Sequence, residues 1–388
     1  MSPSIITKIE TFRVPPRWLF VRVETEDGLV GWGEGTLEGH TQAVEGAYED
    51  LRSRFVGCDA SNIQDIWQTA YQARFYRGGP VLMSALSGLD IALWDIKGKK
   101  LGVPVSTLLG GKVRDRMRVY GWIGGDHPKD VLLAANARKQ QGFDAVKMNG
   151  TDGLPWIASP SALAQTVQNV KDVRSLGLDV GVDFHGRVHK GTAKRLAAAL
   201  EQEGVLFIEE PLLPTQPLEI ADLARSTKTP IALGERLYTK WDWRPYLEAR
   251  AVDIAQPDIS HCGGISELHR IATLTEVYDV AVAPHCPLGP LALAASLQVD
   301  AVSINFTIQE MSWQMHYNRE TDEADLHTYM KNPQVFDIVD GHIALLEGPG
   351  LGVEINEELV RAAAAKHTNM KPWINPVWRG KDGALQEW

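Results

Sequence analysis

Three short apolar segments in the middle of the chain each end in a carboxylate, namely Asp183, Glu209 and Glu235. Successive carboxylates are 26 residues apart, about the length of one strand, one helix and their connecting loops. In a parallel β/α barrel this spacing brings the three acids together at the C-terminal ends of adjacent strands. Converging carboxylates repel one another unless a cation lies between them, and oxygen ligands of this kind suit Mg²⁺. The pattern therefore predicts both a barrel and a magnesium site.

Further ionisable residues continue the series at later strand ends. Asp258, His285 and Glu310 follow at intervals of 23, 27 and 25 residues. His185 lies two residues after Asp183, so both side chains face the same way along the strand. A single acid or histidine in such a place is more often a helix cap or a structural hydrogen bonder. A series repeated over successive strand ends is instead typical of the catalytic residues of a barrel.

One strand earlier, Lys147 and Asn149 form another pair that faces one side of its strand. A lysine at a strand end can form a Schiff base with a carbonyl substrate, so these residues alone leave an aldolase open. Strand alternation also leaves open whether Glu209 or Glu210 faces inward. We interpret His261 as a structural residue of a loop.

Size and composition exclude several classes of protein. The 388 residues exceed the roughly 250 of a complete β/α barrel and leave room for a second, smaller domain. The net charge of −10 argues against nucleic acid as a partner, because phosphate binding needs a basic surface. Cys58, Cys262 and Cys286 are too scattered for a disulfide framework or a zinc cluster. No segment resembles a signal peptide or a membrane span, so we expect a cytoplasmic protein without a membrane partner.

The first part of the chain, 1–117, differs in pattern from the rest. Alternating apolar segments separated by turn residues predict antiparallel strands at 5–14, 19–25 and 29–34. A helical pattern follows at 84–100 and ends before a glycine. These elements predict an α+β capping domain.

From residue 118 onward, strand and helix patterns alternate up to an eighth strand at 300–306. A doubly wound sheet is the main rival, but no glycine-rich phosphate loop follows an early strand. We therefore predict an α/β fold, with a (β/α)8-type barrel over 118–320. The C-terminal segment, 321–388, includes a turn and a short strand at 348–356 and is expected to pack back on the capping domain and complete it.

The residues described so far resemble the enolase superfamily, and specifically its mandelate racemase-like branch, over essentially the whole chain. The motifs that carry the resemblance are FYRGGP (75–80), KMN (147–149), DFHGR (183–187), QPDISHCGGI (256–265), APHCPLGP (283–290) and QE (309–310). Within that branch the sequence is most similar to the D-galactonate dehydratases. Sites of this superfamily combine a base with bound Mg²⁺, which is a known property of the group.

The resemblance implies a role for each strand-end residue. It implies one Mg²⁺ per subunit, held by Asp183, Glu209 and Glu235. It also implies that His285 is the general base that removes a proton from the substrate, and that His185 is the general acid.

The remaining site residues are implied to support these two histidines. Asp258 would pair with the base, and Glu310 would hydrogen-bond the charged end of the substrate, with Lys147 helping to stabilise the enediolate. Asn149, predicted to contact the substrate, stands where racemases of this branch carry a second lysine. Because an amide cannot take a proton, proton removal from one face only is expected, which argues against racemisation. His185, as an imidazolium, would then protonate the departing hydroxide.

The implied reaction is Mg²⁺-dependent dehydration of a small-molecule sugar acid, first of all D-galactonate, to its 2-dehydro-3-deoxy acid. Open alternatives are another aldonate of the gluconate or pentonate type, a racemase or cycloisomerase of the same branch, and a non-catalytic sugar-acid binder. Specificity is expected from capping-domain loops at 15–20 and 75–80, where Arg17 and Tyr76 are predicted to contact the substrate. Ordinary interdomain packing would explain these loops equally well. We also predict a closed homo-oligomer, the usual assembly of such barrels.

Overall fold

The computed structural model describes residues 2–315, 317–318, 324–366 and 373–388. The predicted boundary between barrel and C-terminal segment, at 320 and 321, lies outside these residues. The described chain comprises an N-terminal lobe, a ring of parallel strands with helices, and later segments that return to both. Within these ranges no helix is both long and apolar enough to cross a membrane.

The N-terminal lobe is an antiparallel three-stranded sheet with helices packed on it, as predicted. Its elements are β1 (Ile6–Val14), β2 (Trp18–Thr25), β3 (Val30–Glu34), α1 (Thr41–Phe55), α2 (Ile63–Gln72), α3 (Pro80–Leu101) and α4 (Val105–Leu108). Helix α3 starts at Pro80, whose fixed φ suits the first helical position, and ends before Gly102, which has a φ of 68°. A Cβ at Gly33 would lie 2.1 Å from the carbonyl oxygen of Gly88, so glycine lets β3 and α3 touch.

Eight parallel strands follow, with helices between them. The strands are β4 (Arg116–Ile123), β5 (Ala145–Asn149), β6 (Asp179–Asp183), β7 (Phe207–Glu209), β8 (Ile231–Leu233), β9 (Ile254–Ala255), β10 (Ala281–Val282) and β11 (Gln309–Met311). The helices are α5 (Val131–Gln140), α6 (Pro160–Arg174), α7 (Lys190–Glu201), α8 (Pro217–Ser226), α9 (Lys240–Glu248), α10 (Gly264–Glu276) and α11 (Pro290–Asp300).

Each strand from β4 to β9 pairs in parallel with the next, and β11 pairs with β4. A parallel bridge between Val282 and Phe306 links β10 to the chain that enters β11. The pairing thus runs through all eight strands and returns to the first, as a barrel requires. The C-terminal ends of these strands meet at one end of the ring, where the predicted strand-end residues lie.

The predicted position of the eighth strand is wrong. Residue 300 is the last of helix α11, Ile304 is 67% exposed, and the strand itself is Gln309–Met311. A short apolar run does not distinguish a buried strand from the end of a buried helix and the loop that follows it. The correction places Glu310 within the strand instead of after it.

Small and aromatic side chains fill the barrel interior. One buried cluster consists of Tyr120, Ala145, Phe207, Ala232, Ala283 and Ile308. The ring of Phe207 lies so close to Gly181 that a Cβ there would come within 2.5 Å of it. The interior is therefore a packed floor, as in other barrels of eight strands, and polar groups collect at one end of it.

After the barrel, a 3-10 helix (Pro333–Phe336) leads into β12 (Ile338–Val339) and β13 (His342–Ala344). Strand β13 pairs antiparallel with β4, so this hairpin extends the sheet beside the first barrel strand. The last helix, α12 (Glu357–Lys366), lies against β1.

The C-terminal segment also contacts the N-terminal lobe, as expected. The Leu351 N–H donates to the Asp95 carboxylate at 3.0 Å, and the Val105 N–H donates to the Gly350 carbonyl at 2.9 Å. The short strand expected within 348–356 is not formed, since these described residues make isolated bridges. Contacts to side-chain carboxylates and loops take the place of a regular ladder.

Candidate active site

The three carboxylates predicted as metal ligands lie at the ends of adjacent strands. Asp183 and Glu209 end β6 and β7 and are partners in the register, and Glu235 lies two residues after β8. Burial raises the pKa of Asp183 to about 7 and the pKa of Glu209 to about 8. Lys147 opposes both shifts, whereas the neighbouring carboxylates add to them. The acids thus repel one another in a buried place, which is the condition that a bound cation relieves.

Glu209, not Glu210, faces the interior. The φ of Glu210 is 38°, and its carboxylate accepts from the Arg236 Nε–H at 3.0 Å. The carboxylate of Glu209 instead accepts from Lys147 at 2.9 Å and from the Gln256 amide at 2.7 Å. The sequence left open which of these two glutamates faces the interior. The left-handed backbone of Glu210, directly after the strand, turns its side chain away and leaves Glu209 facing inward.

Lys147 lies between two carboxylates at the floor of the site. Its Nζ is 2.9 Å from Glu209 Oε1 and 3.0 Å from Glu310 Oε1, and the side chain is 2% exposed. Burial by itself lowers the pKa of Lys147, but the two carboxylates raise it well above its usual value. The lysine is therefore an ammonium group, which has no lone pair to attack a carbonyl carbon.

His285 is held between two carboxylates. Its Nδ1 lies 2.7 Å from Asp258 Oδ2, and its Nε2 lies 2.8 Å from Glu235 Oε2. Burial favours the neutral ring, but Glu235 and Glu310 raise the pKa of His285 well above its usual value. Asp258 is fully buried and its other oxygen accepts from the Ser260 N–H, so the aspartate is itself fixed in place. The ring is thus oriented with one nitrogen turned to the carboxylate behind it, the arrangement of an oriented acid–base group.

His185 is positioned by its own backbone and by Arg187. Its φ is 55°, and its N–H donates to Asp183 Oδ1 at 2.6 Å. Arg187 Nη2 lies 2.7 Å from His185 Nδ1. Because a guanidinium only donates, Nδ1 must accept, and the proton of the neutral ring is on Nε2. Burial and then the charge of Arg187 lower the pKa of His185 well below its usual value. The structure therefore argues against the imidazolium expected at this position.

The donor set has the chemistry of a Mg²⁺ site. Asp183, Glu209 and Glu235 offer carboxylate oxygens, and each oxygen has two lone pairs, so the hydrogen bonds described above leave ligand positions. Among the described residues, however, no group of three His, Cys, Asp or Glu side chains is arranged to hold an ion. The residues thus fit the metal chemically, and coordination requires these side chains to draw together.

A cavity of about 340 Å³ opens above these groups, between the barrel and the N-terminal lobe. Seven predicted residues line it, namely Arg17, Lys147, Asp183, His185, Glu235, His285 and Glu310. Glu209 and Asp258 lie behind this surface and contact residues that line it. Asn149 is buried and its amide donates to the Gly125 carbonyl at 3.1 Å, away from the cavity lining. Tyr76 is 84% exposed and does not line this cavity.

Several residues of the cavity wall were not predicted. His261, interpreted as structural, has Nδ1 3.0 Å from Ser84 Oγ and Nε2 3.6 Å from Glu38 Oε2. Glu38 in turn lies 3.5 Å from Arg17, so this chain of contacts joins the barrel to the N-terminal lobe. The position of His261, three residues after Asp258, was the available signal in the sequence.

Trp388 and Asn375, both from the C-terminal segment, also line the cavity. The sequence offered one indication, because residues 373–388 contain three tryptophans within 16 residues. Pattern alone could not assign those rings to the barrel mouth. The expected role of this segment was contact with the capping domain.

Comparison with protein families gives two adjoining matches. Residues 8–110 match the mandelate racemase/muconate lactonizing enzyme N-terminal domain, and residues 130–359 match the enolase C-terminal domain-like family. The first range lies within the N-terminal lobe, and the second runs from the start of the helix that follows β4 to the first turn of α12.

Curated relatives are similar over the full chain. A protein of Verminephrobacter eiseniae named D-galactonate dehydratase is 50% identical over 386 residues, which cover 99% of this chain and all of that protein. One of Xanthomonas campestris pv. campestris with the same name is 49% identical with the same coverage.

Solved structures share the architecture. A putative dehydratase from Zymomonas mobilis superposes with a TM-score of 0.84 at 30% identity, covering 93% of this chain and 98% of that one. A mandelate racemase/muconate lactonizing enzyme-like protein from Rubrobacter xylanophilus has a TM-score of 0.85 at 30% identity, covering 96% and 100%.

Proposed function

The chain belongs to the mandelate racemase/muconate lactonizing enzyme family of the enolase superfamily, and we propose that it is a hydro-lyase that dehydrates D-galactonate. The product would be 2-dehydro-3-deoxy-D-galactonate, formed together with water. The observation that carries the proposal is the pairing of His285 with Asp258 in a cavity whose wall also includes His185. An oriented base and a second proton-bearing ring are what a dehydration requires.

The metal site of the proposal uses the three carboxylates at the ends of β6, β7 and β8. Asp183, Glu209 and Glu235 would hold one Mg²⁺ per subunit, which when bound supplies Lewis-acid stabilisation of negative charge on the substrate. Lys147 adds a fixed positive charge beside Glu209 at the cavity floor. Its ammonium group favours an anionic substrate and the charge that develops on it.

The first proton transfer is assigned to His285. Glu235 would be one of the ligands of the metal, which would weaken its attraction for the imidazolium, and Nε2 of His285 would then take the C2 proton. Asp258 holds Nδ1–H and stabilises the ring once it is protonated. Glu310 accepts from the Cys286 N–H at 3.0 Å and pairs with Lys147, so its charge is compensated and it can accept a hydrogen bond from the substrate.

The second proton transfer is assigned to His185. Loss of the 3-hydroxyl as water requires one proton, and His185 carries its proton on Nε2 because Arg187 occupies Nδ1. Arg187 also stabilises the ring as that proton leaves. His285 has gained a proton and His185 has lost one, so exchange with solvent restores both. The enol product then tautomerises to the 2-keto acid.

Two alternatives are disfavoured by particular residues. A Schiff-base aldolase would need a neutral Lys147, whose pKa is raised by Glu209 and Glu310. A racemase would need a second base at Asn149, which cannot take a proton and whose amide is bound to the Gly125 carbonyl. A dehydratase of another aldonate keeps all of the roles above and changes only the substrate.

A screen of the purified protein tests the proposal. Turnover of D-galactonate, D-gluconate and a pentonate would be followed as 2-keto-3-deoxy product, with Mg²⁺ and with EDTA. We expect Mg²⁺-dependent turnover of D-galactonate, reduced by about 10²- to 10⁴-fold in His285→Asn. Turnover of a different aldonate would keep the proposed mechanism and change the proposed substrate. If no acid yields product, the proposal that the protein is a dehydratase is wrong. Inactivation by borohydride together with activity in EDTA would indicate the aldolase instead.

A further inference from the structure

Residues 373–388 reach the cavity although they are far in sequence from the barrel strands. Trp388 and Asn375 line the same cavity as His185, Glu235 and His285. Neither residue has a part in the proton transfers or the metal site described above. Their presence in the wall indicates a contact with the substrate that the family match over 8–110 and 130–359 does not cover.

The ring of Trp388 lies beside the ring of His185. The two centroids are 6.2 Å apart with an angle of 26° between the planes, and Trp373 lies 5.9 Å from Trp388 on another side. The indole Nε1 of Trp388 is buried and has no hydrogen-bond partner among the described residues. Buried indole N–H groups usually have a partner, so a ligand hydroxyl that reached this edge would satisfy one.

A second tryptophan of the segment supports His185 from behind. Trp378 lies 4.6 Å from the Arg187 guanidinium, and Arg187 donates to His185 Nδ1 at 2.7 Å. Such a cation–π contact restricts the guanidinium to the plane in which it can donate. The segment therefore touches the His185 side of the site both directly and through Arg187.

Asn375 joins the segment to the N-terminal lobe. A Cβ at Gly39 would lie 2.4 Å from Asn375 Oδ1, and the φ of Gly39 is 76°. Glycine thus allows the loop that carries Glu38 and His40, which also line the cavity, to lie against Asn375. The wall formed by residues 373–388 is continuous with the lobe that covers the barrel.

We propose that residues 373–388 form one wall of the substrate cavity, in which Trp388 packs against the sugar chain beyond C3 and discriminates between acids that differ there. The inference rests on the proposed function, because His185 is the group assigned to the 3-hydroxyl and Trp388 is its neighbour. An aromatic face packs well against the C–H groups of a sugar chain, and its N–H edge can bond a hydroxyl.

The test compares Trp388→Ala, Trp388→Phe and Trp156→Ala. Trp156 is 77% exposed, stacks on His189 and does not line the cavity, so it is a matched control. For Trp388→Ala we expect kcat/KM for D-galactonate to fall by about 10- to 100-fold, mostly through KM, and its preference over the C4 epimer D-gluconate to fall towards one. Trp388→Phe should recover most of the loss, and Trp156→Ala should match the wild type.

Binding measured by calorimetry in a His285→Asn background, where substrate is not consumed, separates the wall from the reaction. Wild-type turnover tests the proposed function alone. The ratio of the affinities for the two epimers tests whether Trp388 contacts the sugar chain. If Trp388→Ala binds both epimers as tightly as the Trp156→Ala control, the wall is refuted even where the enzyme is active. Should Trp388→Ala fail to fold, Trp388→Leu, which keeps an apolar side chain but loses the aromatic face and the indole N–H, carries the same comparison with the same refuting outcome. Absence of any aldonate binding would overturn both proposals.

Discussion

Replacing Lys147 by Met should destabilise the metal-free protein, because it removes the ammonium group that lies between Glu209 and Glu310. The Nζ atom is 2.9 Å and 3.0 Å from these carboxylates, and all three side chains are 2% exposed or less. Met has a similar length and no charge, so it keeps the side-chain volume but removes the positive charge that compensates the two carboxylates. Two carboxylates then remain buried without their partner.

The magnitude follows from this burial. Removal of one partner from a buried ion pair costs about 3–5 kcal/mol. The entropy of unfolding for a chain of this length is about 0.8 kcal/mol/K, so the melting temperature should fall by about 4–6 °C. Lys190 and Glu219 form an exposed pair at 2.9 Å, with side chains 52% and 40% exposed. Lys190→Met should therefore cost no more than about 1 kcal/mol, or roughly 1 °C.

The loss should also depend on pH with a defined sign. The pKa of Glu209 is raised to about 8 in the folded protein, whereas it is about 4.3 in the unfolded chain. The folded state thus holds a proton that the unfolded chain has lost, and stability from this group falls as pH rises from about 4 to 8. Lys147 lowers the pKa of Glu209, so without it the folded carboxyl keeps its proton to a higher pH and the fall in stability continues above pH 8. Above about pH 8 the folded wild type has also lost this proton, so the difference in stability between variant and wild type should be larger at pH 9 than at pH 7.

The assay is thermal unfolding followed by circular dichroism at pH 7 and pH 9, in EDTA so that no cation compensates the carboxylates. Addition of Mg²⁺ in excess over EDTA at pH 9 should then restore part of the loss in Lys147→Met. A melting temperature within 1 °C of the Lys190→Met control at both pH values would refute the reasoning. So would a loss that is larger at pH 7 than at pH 9.

Three further outcomes are expected. Gly31→Ala should lower stability by about 1–3 kcal/mol or more, since its Cβ would meet a carbonyl oxygen of α3 at 2.1 Å. Gly46 lies at an exposed position of α1 with open space around its Cα, so Gly46→Ala should raise stability by about 0.5–1 kcal/mol, and urea unfolding measures both. Burial raises the pKa of Glu34 to about 7, so wild-type stability should fall between about pH 4 and 7 relative to Glu34→Gln, as thermal melts would measure. Asp258→Asn should lower kcat by about 10²-fold or more with little change in KM, because His285 loses the partner of Nδ1.

Much of the candidate site could be predicted because it follows a simple spacing. Asp183, Glu209 and Glu235 end successive βα units, and parallel strands bring such positions to one edge whatever the helices between them contain. Asp183 and Glu209 are 26 residues apart in sequence and lie opposite each other in the register of β6 and β7. Local patterns were sufficient here since the strands and their order determine the placement.

Other features depended on contacts that no local pattern contains. The apolar run predicted as the eighth strand contains the end of a buried helix, and the strand itself lies later in the chain. The Asn149 amide donates to the Gly125 carbonyl and does not line the cavity. The tautomer of His185 is set by Arg187, whose guanidinium is itself oriented by Trp378, almost two hundred residues later in the chain. Each of these outcomes requires knowledge of which distant groups become neighbours.

The sequence by itself determined the class of fold, the strand ends that carry acids and histidines, and the resemblance that names their family. Only the tertiary structure decided which side chains share the cavity, which partners hold the ring nitrogens of His185 and His285, and that Asn375 and Trp388 line the cavity. The physical reason is that period and spacing act along the chain, whereas burial, charge and hydrogen-bond partners act through space. Lys147 illustrates the difference, since its position was evident from the sequence and its charge state was set by Glu209 and Glu310.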